Sequence, residues 1–563
     1  MDRSASADST STGPNPDLLV CAALTAVWLL IVWFVGVHGE FPLNDDWAYS
    51  IPTKHLVETG RLERLPWTWT PILSHVAIGA VFAHLFGFSL VTMRMVGVVS
   101  GWVGMIGAYV LARRVGITRP KAVIATGISA WNPVYINLSF TYMLDVPITA
   151  MLTWSLVCLS IAAPPGNEGH VAAAQSALRQ RLAWAGALLL ALAATASRQT
   201  GVALIVAVAA AMGLSHLRRL WHLGAALALV AVLLWIDKVV AAGLFGHGDR
   251  GASAGIVFIL GYLRDKAIFQ ILGYNTASVL FYLGLFAAPV VVMLVRWNDD
   301  LARQLLVPSV LLGSATLWAL PKLGWSLLPA GFNVVWETGV GPLMIEPMRP
   351  TNPLRQSTWA LITLISLCAV YYALLSVTVA CFRAYPQLRR SVFWITLLVF
   401  PPVYLAPHLV RIPCFDRYLL PLLPVCAVLL LAMPGQLTAA APRRLWLAAT
   451  VLGLGMLFGV LGTRDYLQRS RAAWALVAQP LSAGVPPEDI DGGFEYRGFY
   501  RFEGPHERTR IEVREDYSQL ERFILSFHAR IDGYRPIAQR SYLRWIPFGR
   551  ETITLHERLG AAP

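Results

Sequence analysis

Asn44-Asp45-Asp46-Trp47-Ala48-Tyr49 decides how this chain is read, because it lies just beyond the apolar run from Leu18 to Val37. That run is long enough to cross a bilayer, so two adjacent carboxylates emerge at the water boundary on its far side. Carboxylates there are placed for chemistry on a membrane-held substrate. An isolated Asp-Asp is equally at home in an ordinary solvated loop, so the rest of the chain has to decide.

The composition narrows the field. Of 563 residues, 56% are hydrophobic and 14% charged, and the mean hydropathy is +0.57, which places the chain among polytopic membrane proteins. A net charge of +13 in a soluble protein points to nucleic acid. Here the basic residues fall in short clusters between apolar runs and in the C-terminal tail, a pattern that marks topology instead, so no nucleic-acid partner is expected. Cys21, Cys158, Cys368, Cys381 and Cys426 lie within apolar stretches and Cys414 in a loop, with no metal knuckle or disulfide framework. The segment 1–17 is polar and rich in serine, and is read as a disordered cytoplasmic N-terminus. The apolar run after it is too long for a signal-peptide core and lacks a small-x-small cleavage site, so it reads as a retained first span.

Along the chain, about thirteen apolar stretches of roughly 17 to 25 residues qualify as spans. Their centres fall near residues 28, 102, 130, 156, 190, 207, 232, 286, 313, 368, 399, 425 and 453. The stretch Pro71 to Phe88 is shorter and holds His75 and His84, and it is assigned to the outer interface. With that choice Arg113-Arg114, Arg179/Arg181, Arg218-Arg219, Arg389-Arg390 and Arg443-Arg444 all fall on the cytoplasmic side, as the positive-inside rule requires. The expected fold is an all-α polytopic membrane protein with transmembrane residues 18–462 and a first outer loop at 38–90. A small mixed α/β soluble domain outside the cytoplasm, 463–563, follows. No repeat of fixed period is present.

Ionisable groups at the edge of membrane segments cost roughly 2.5 to 3.5 kcal/mol each on insertion scales, so each needs a partner or a role. Asp45/Asp46 leave the first span, Asp145 sits in Tyr142-Met143-Leu144-Asp145-Val146-Pro147, Arg198 interrupts two apolar stretches, and Arg417 stands at the head of another. Each has a plainer reading. Asp145 could cap the helix beginning near Pro147, Arg198 could snorkel to head groups, and Arg417 could pair with Asp416 or lipid phosphate. Trp47, Trp67 and Trp69 read as interfacial belt residues. Phosphate-loop and HExxH motifs are absent.

Taken in order, these segments resemble the membrane glycosyltransferases of the GT-C fold, in the branch of protein O-mannosyltransferases and the lipid A aminoarabinose transferase. Asn44-Asp45-Asp46-Trp47-Ala48-Tyr49 is similar to that family's Asp-Glu-x-x-Tyr segment, with Asp46 where Glu is common. Thr141 to Pro147 is similar to its second-loop Asp before Pro. Ser197-Arg198-Gln199-Thr200-Gly201 is similar to its Thr-Lys-Gly segment, and Arg417-Tyr418 with Pro421 to its Arg-Tyr-x-x-Pro. The resemblance covers roughly residues 18–430.

What the resemblance implies is inverting transfer of a sugar from a polyprenyl-phosphate donor, outside the cytoplasm, to a lipid, protein or glycan acceptor. It implies Asp45, Asp46 and Asp145 as the catalytic acids, with Asp45 as general base. Arg198, Arg417, Tyr49 and Tyr142 are implied to bind substrate, with the arginines on the donor phosphate. It leaves open a divalent cation between Asp45 and Asp145, and names no other cofactor. The location is the inner, plasma membrane, with membrane lipids as surroundings. Two other classes compete: a multi-pass transporter or flippase, which would show two related halves, and a surface polysaccharide polymerase or ligase, which would carry its motif in a large late loop.

Overall fold

A computed structural model describes residues 15–65, 67–68, 70–165, 177–215, 224, 267–295, 300–325, 333–336, 339–342, 354–410, 414–435, 442–502 and 521–560. The span expected near residue 232 and the Arg218-Arg219 pair lie outside these residues. Among the described residues nine helices are long and apolar enough to cross a membrane, which makes this a multi-pass membrane protein. The stretches expected near 130 and 425 are instead broken, and the helix through 207, Val202–Ser215, ends where the described residues end.

The break near 130 shows why. Helix α5 (Arg119–Ala130, following α1 Pro16–Val35, α2 Asp46–Thr59, α3 Leu73–Phe86 and α4 Leu90–Arg114) stops before Asn132-Pro133, and α6 (Pro133–Ser139) restarts at the proline. A proline drives the residue before it out of the helical region, and Asn132 is extended at ψ 153°. Asn132 then stitches the break. Its Oδ1 accepts the Tyr135 N–H at 2.9 Å, and its Nδ2 donates to the carbonyls of Ile128 and Ser129. Near 425, Pro421 and Pro424 divide the segment into a 3₁₀ helix, Asp416–Leu422, and an α-helix, Leu423–Ala432.

Side-chain contacts fix the two ends of the bundle. At the N-terminal end of α1 the Asp17 carboxylate accepts from Arg113, Arg119 and the Tyr109 hydroxyl. At its other end the carbonyls of Val37, Gly39 and Phe41 are gathered by Arg94, which is fully buried. A helix of 20 residues is roughly 30 Å long. Arg119 binds Asp17 at one end and Tyr142 binds Asp46 at the other, so the broken chain between them still crosses the bundle.

The helix assigned to the interface is Leu73–Phe86, whose 14 residues cover about 21 Å and cannot cross. It buries His75, Val76, Gly79, Ala80 and Ala83 and exposes Leu73, Val81, Leu85 and Phe86.

Close backbone approaches lock the acidic end. A Cβ on Gly97 of α4 would lie 2.2 Å from the Thr141 carbonyl oxygen and 2.9 Å from that of Ser139. Gly97→Ala must push α4 off the segment that leads to Tyr142 and Asp145, and the expected cost is about 1–3 kcal/mol. It is read as a lower melting temperature in detergent, and an unchanged melt would refute the close approach.

The long helix Pro442–Ser482 has 41 residues, about 60 Å, twice the hydrocarbon thickness. Its first half exposes Trp446, Leu447, Leu454 and Leu457. Its second half runs without a break through the position at which a separate domain is expected to begin. There Ala472, Ala473, Leu476 and Val477 pack on a four-stranded sheet of order β3-β4-β6-β5, comprising β3 Ile490–Asp491, β4 Phe523–Ser526, β5 Tyr534–Trp545 and β6 Phe548–Arg558. Strands β3 and β4 are parallel and the other pairs antiparallel. A second hairpin, β1 (Val335–Trp336) with β2 (Gly339–Val340), lies in the loop before helix Gln356–Arg383.

Candidate active site

Four separated segments bring charge to one end of the bundle. Asp45 ends the loop after α1 and opens α2; Asp145 is the first residue of α7 (Asp145–Ala162). Arg198 follows helix Ala177–Ser197, and Arg417 lies in the 3₁₀ helix Asp416–Leu422. Arg198 Nη1 donates to Asp145 Oδ1 at 2.7 Å, with side chains only 8% and 1% exposed. Arg417 Nη2 lies 3.5 Å from Asp45 Oδ2. Both guanidinium groups stand over the Tyr418 ring, Arg198 at 4.8 Å and Arg417 at 5.8 Å. Two acids and two cations thus share one small volume.

These partners replace the plainer readings of the sequence. Asp145 makes no cap for its own helix and gives its carboxylate to Arg198. Arg198 is 7% exposed, so it does not reach out to head groups. Asp416, which could have held Arg417, accepts the backbone N–H groups of Val334 and Val335 and so ties down hairpin β1-β2. Two polar atoms in the cluster, Asp145 Oδ2 and Arg417 Nε, are buried with no hydrogen-bond partner among the described residues. A site for a polar ligand would use such atoms.

The two neighbouring acids are treated differently. Asp45 is partly open, its side chain 14% exposed, and its Oδ1 accepts from the Trp67 indole at 3.1 Å. Asp46 turns inward, where Oδ1 accepts the Tyr142 N–H at 2.8 Å and Oδ2 the Leu43 N–H at 3.3 Å. Burial pushes the Asp46 carboxyl well above the usual carboxylate range, against the pull of Arg94 and of those two N–H groups.

The two tyrosines also part company. Tyr49 lies within electrostatic reach of Asp45, Arg198, Asp145 and Arg417, with its ring edge on His75 at 5.6 Å. Tyr142 stacks on His75 at 4.3 Å, shares a 2.9 Å hydrogen bond with Thr53, and has its hydroxyl hard against Gly79. It is packed behind Asp46 rather than beside the arginines.

Sequence reasoning missed several members. Tyr404 interacts with Arg198 and Asp145 from helix Val392–Leu409, and nothing in Pro401-Pro402-Val403-Tyr404 announces it. Trp67, expected to be a belt residue, bonds to Asp45. Trp69 lies outside the described residues. Among the described residues no group of three or more His, Cys, Asp or Glu side chains is gathered as metal ligands would be.

The C-terminal unit reaches the same place. Glu495, on helix Phe494–Arg501, accepts the Asn44 N–H and the Tyr466 hydroxyl, each at 3.1 Å. Burial lifts its carboxyl to about 7, although the Asn44 N–H, Arg469 and Tyr466 favour its charged form. The folded chain therefore keeps a proton between pH ~4.5 and ~7 that the unfolded chain releases, and stability falls as pH rises through that window. Glu495→Gln is expected to flatten that part of the melting temperature against pH, and an unaltered slope would refute the buried acid.

No family model and no curated protein matches the chain. Several solved structures are similar to it. ArnT from Cupriavidus metallidurans bound to undecaprenyl phosphate is 14% identical with a TM-score of 0.41, covering 96% of this chain and 99% of that one. The oligosaccharyltransferase AglB from Archaeoglobus fulgidus, in complex with an inhibitory peptide and a dolichol-phosphate, is 15% identical at a TM-score of 0.44 over 90% of this chain and 62% of its own. The S. cerevisiae protein O-mannosyltransferase complex Pmt1-Pmt2, bound to its sugar donor, is 16% identical at 0.30 over 44% of this chain and 34% of its own.

Proposed function

We propose that this chain transfers a sugar, with inversion, from a polyprenyl-phosphate donor to an acceptor hydroxyl or amine at the outer face of the membrane. The observation that carries this reading is the meeting of Asp45, Asp145, Arg198 and Arg417 at one end of an apolar bundle. A lipid-borne phosphate needs that combination: an apolar groove for its tail, guanidinium groups for its head, and a carboxylate beside them.

In this reading Asp45 takes the acceptor proton as the new bond to the anomeric carbon forms, a role that suits the more open of the two neighbouring acids. The bond between that carbon and the phosphate oxygen breaks from the opposite side, and the electron pair leaves with the phosphate. Arg198 and Arg417 stabilise the growing negative charge, more strongly because water is excluded around them. Asp145 holds Arg198 in place and offers its free oxygen to a donor hydroxyl. Asp46 and Tyr142 keep the acidic loop in position, and Tyr49 lines the same cluster. A divalent ion between Asp45 and Asp145 would have to draw both carboxylates from their arginines.

The distribution of charge supports this orientation. Arg113, Arg114 and Arg119 lie at the end of the bundle opposite the acids, and Arg179 faces Arg114. Under the positive-inside rule that end is cytoplasmic, which puts the acids and the C-terminal unit outside the inner membrane.

The test is to incubate the purified chain in detergent with a panel of polyprenyl-phosphate sugars and acceptors and follow donor consumption. Turnover of at least one donor is expected. Ion-coupled flux in liposomes with no turnover of any donor would establish a transporter instead.

A further inference from the structure

The loop that presents Asp45 is held from outside the bundle. Asn44, immediately before it, adopts a left-handed backbone at φ 53°, a turn that asparagine takes up more readily than other residues with a Cβ. Its N–H donates to Glu495 Oε1, 451 residues away in sequence. The same oxygen accepts the Tyr466 hydroxyl from the long helix, so Glu495 bridges the acidic loop to the helix that carries the C-terminal sheet.

The segment bearing Glu495 also packs on the two tryptophans beside Asp45. Phe494 and Phe502 pack on Trp47 at 6.4 and 5.2 Å, and on Trp67, whose indole bonds to Asp45, at 5.7 and 6.1 Å. Gly498 permits this closeness, since a Cβ there would lie 2.2 Å from the Trp47 indole. The helix is in turn pinned to its own sheet, because Arg497 pairs with Asp491 of β3 at 2.7 Å and Tyr496 enters the sheet's core.

We infer that Glu495 is a positioning residue: from the C-terminal unit it fixes the Asn44 turn, and through it the aim of the Asp45 carboxylate. The kinetic consequence rests on the reading of Asp45 as base; the structural one does not. It gives the C-terminal unit a part in the reaction that no motif in its own sequence suggests.

The experiment compares the full chain in detergent with Glu495→Ala, Glu495→Gln and Gly498→Ala. The first readout is hydrogen exchange in the peptide covering Leu43 to Ala48. Exchange is expected to quicken about tenfold or more in Glu495→Ala and in Gly498→Ala. Glu495→Gln, whose amide oxygen can still accept from Asn44, should keep the parent rate. The second readout is donor turnover, where Glu495→Ala should lower kcat about tenfold with KM for the donor unchanged, and Glu495→Gln should restore it.

Parent-like exchange in Glu495→Ala would overturn the inference, whatever the turnover. Equal losses in the Gln and Ala variants would overturn it too, as they would reflect packing rather than an accepted hydrogen bond. Because exchange needs no substrate, a parent chain that consumes no donor counts against the proposed function alone, and a quickened loop still supports the clamp.

Discussion

Asp45→Asn is expected to lower sugar transfer by about 10²- to 10⁴-fold, the usual worth of a positioned proton acceptor, with a smaller loss of stability than breaking the more deeply buried pair of Asp145 and Arg198. Asparagine has nearly the shape of aspartate and keeps an oxygen for the Trp67 indole, so the loop has no reason to move. What it loses is basicity and the charge that faces Arg417 at 3.5 Å. That guanidinium then has the donor phosphate as its natural anion, and KM for the donor should hold or fall.

Asp46→Asn makes the contrast sharp. Both Asp46 oxygens accept backbone N–H groups, and an amide nitrogen in one of those places would face a donor. Its expected signature is a lowered melting temperature, with activity lost in proportion to unfolding. Single-turnover donor consumption and thermal melts on both variants separate the two acids. An Asp45→Asn chain that turns over donor at the parent rate would remove Asp45 from the chemistry.

How the acids came to be legible explains what was not. Asp45, Asp145, Arg198 and Arg417 stand out in the sequence because charge is rare and costly beside apolar spans, so each one demands a reason. That Leu73–Phe86 is too short to cross is legible from its length alone. Tyr404 is not, because an aromatic in an apolar helix is more often packing than ligand, and only the fold brings it within electrostatic reach of Arg198 and Asp145. Glu495 is hidden for another reason: its partner is Asn44, and no local pattern links residues so far apart. The helices near 130 and 425 were expected as whole spans because hydropathy sums apolar content without regard to where Asn132-Pro133, Pro421 and Pro424 deny the backbone its hydrogen bonds. The long helix Pro442–Ser482 shows the converse, since a change from apolar to polar composition marked a boundary where the backbone runs on unbroken.

The buried pair of Asp145 and Arg198 allows a second large effect to be measured. Both side chains are almost wholly removed from water, so taking away either partner leaves an uncompensated charge, at an expected cost of about 3–5 kcal/mol. Asp145→Asn and Arg198→Met should each melt far below the parent in detergent. The double variant leaves neither charge behind, and it should recover much of the lost stability, so that the coupling energy in a double-mutant cycle exceeds the cost of either single change.

Turnover should not follow. Were the pair present only to hold α7 against helix Ala177–Ser197, restoring the melt would restore the activity. If instead Arg198 grips a phosphate and Asp145 Oδ2 is kept free for the ligand, the double variant folds and stays inactive. Recovery of both would reduce the pair to architecture and leave Arg417 alone to face the donor. Recovery of the fold without the activity means that an expensive buried ion pair, which a well-packed apolar pair could replace without loss of stability, is retained for the charge it presents to a substrate.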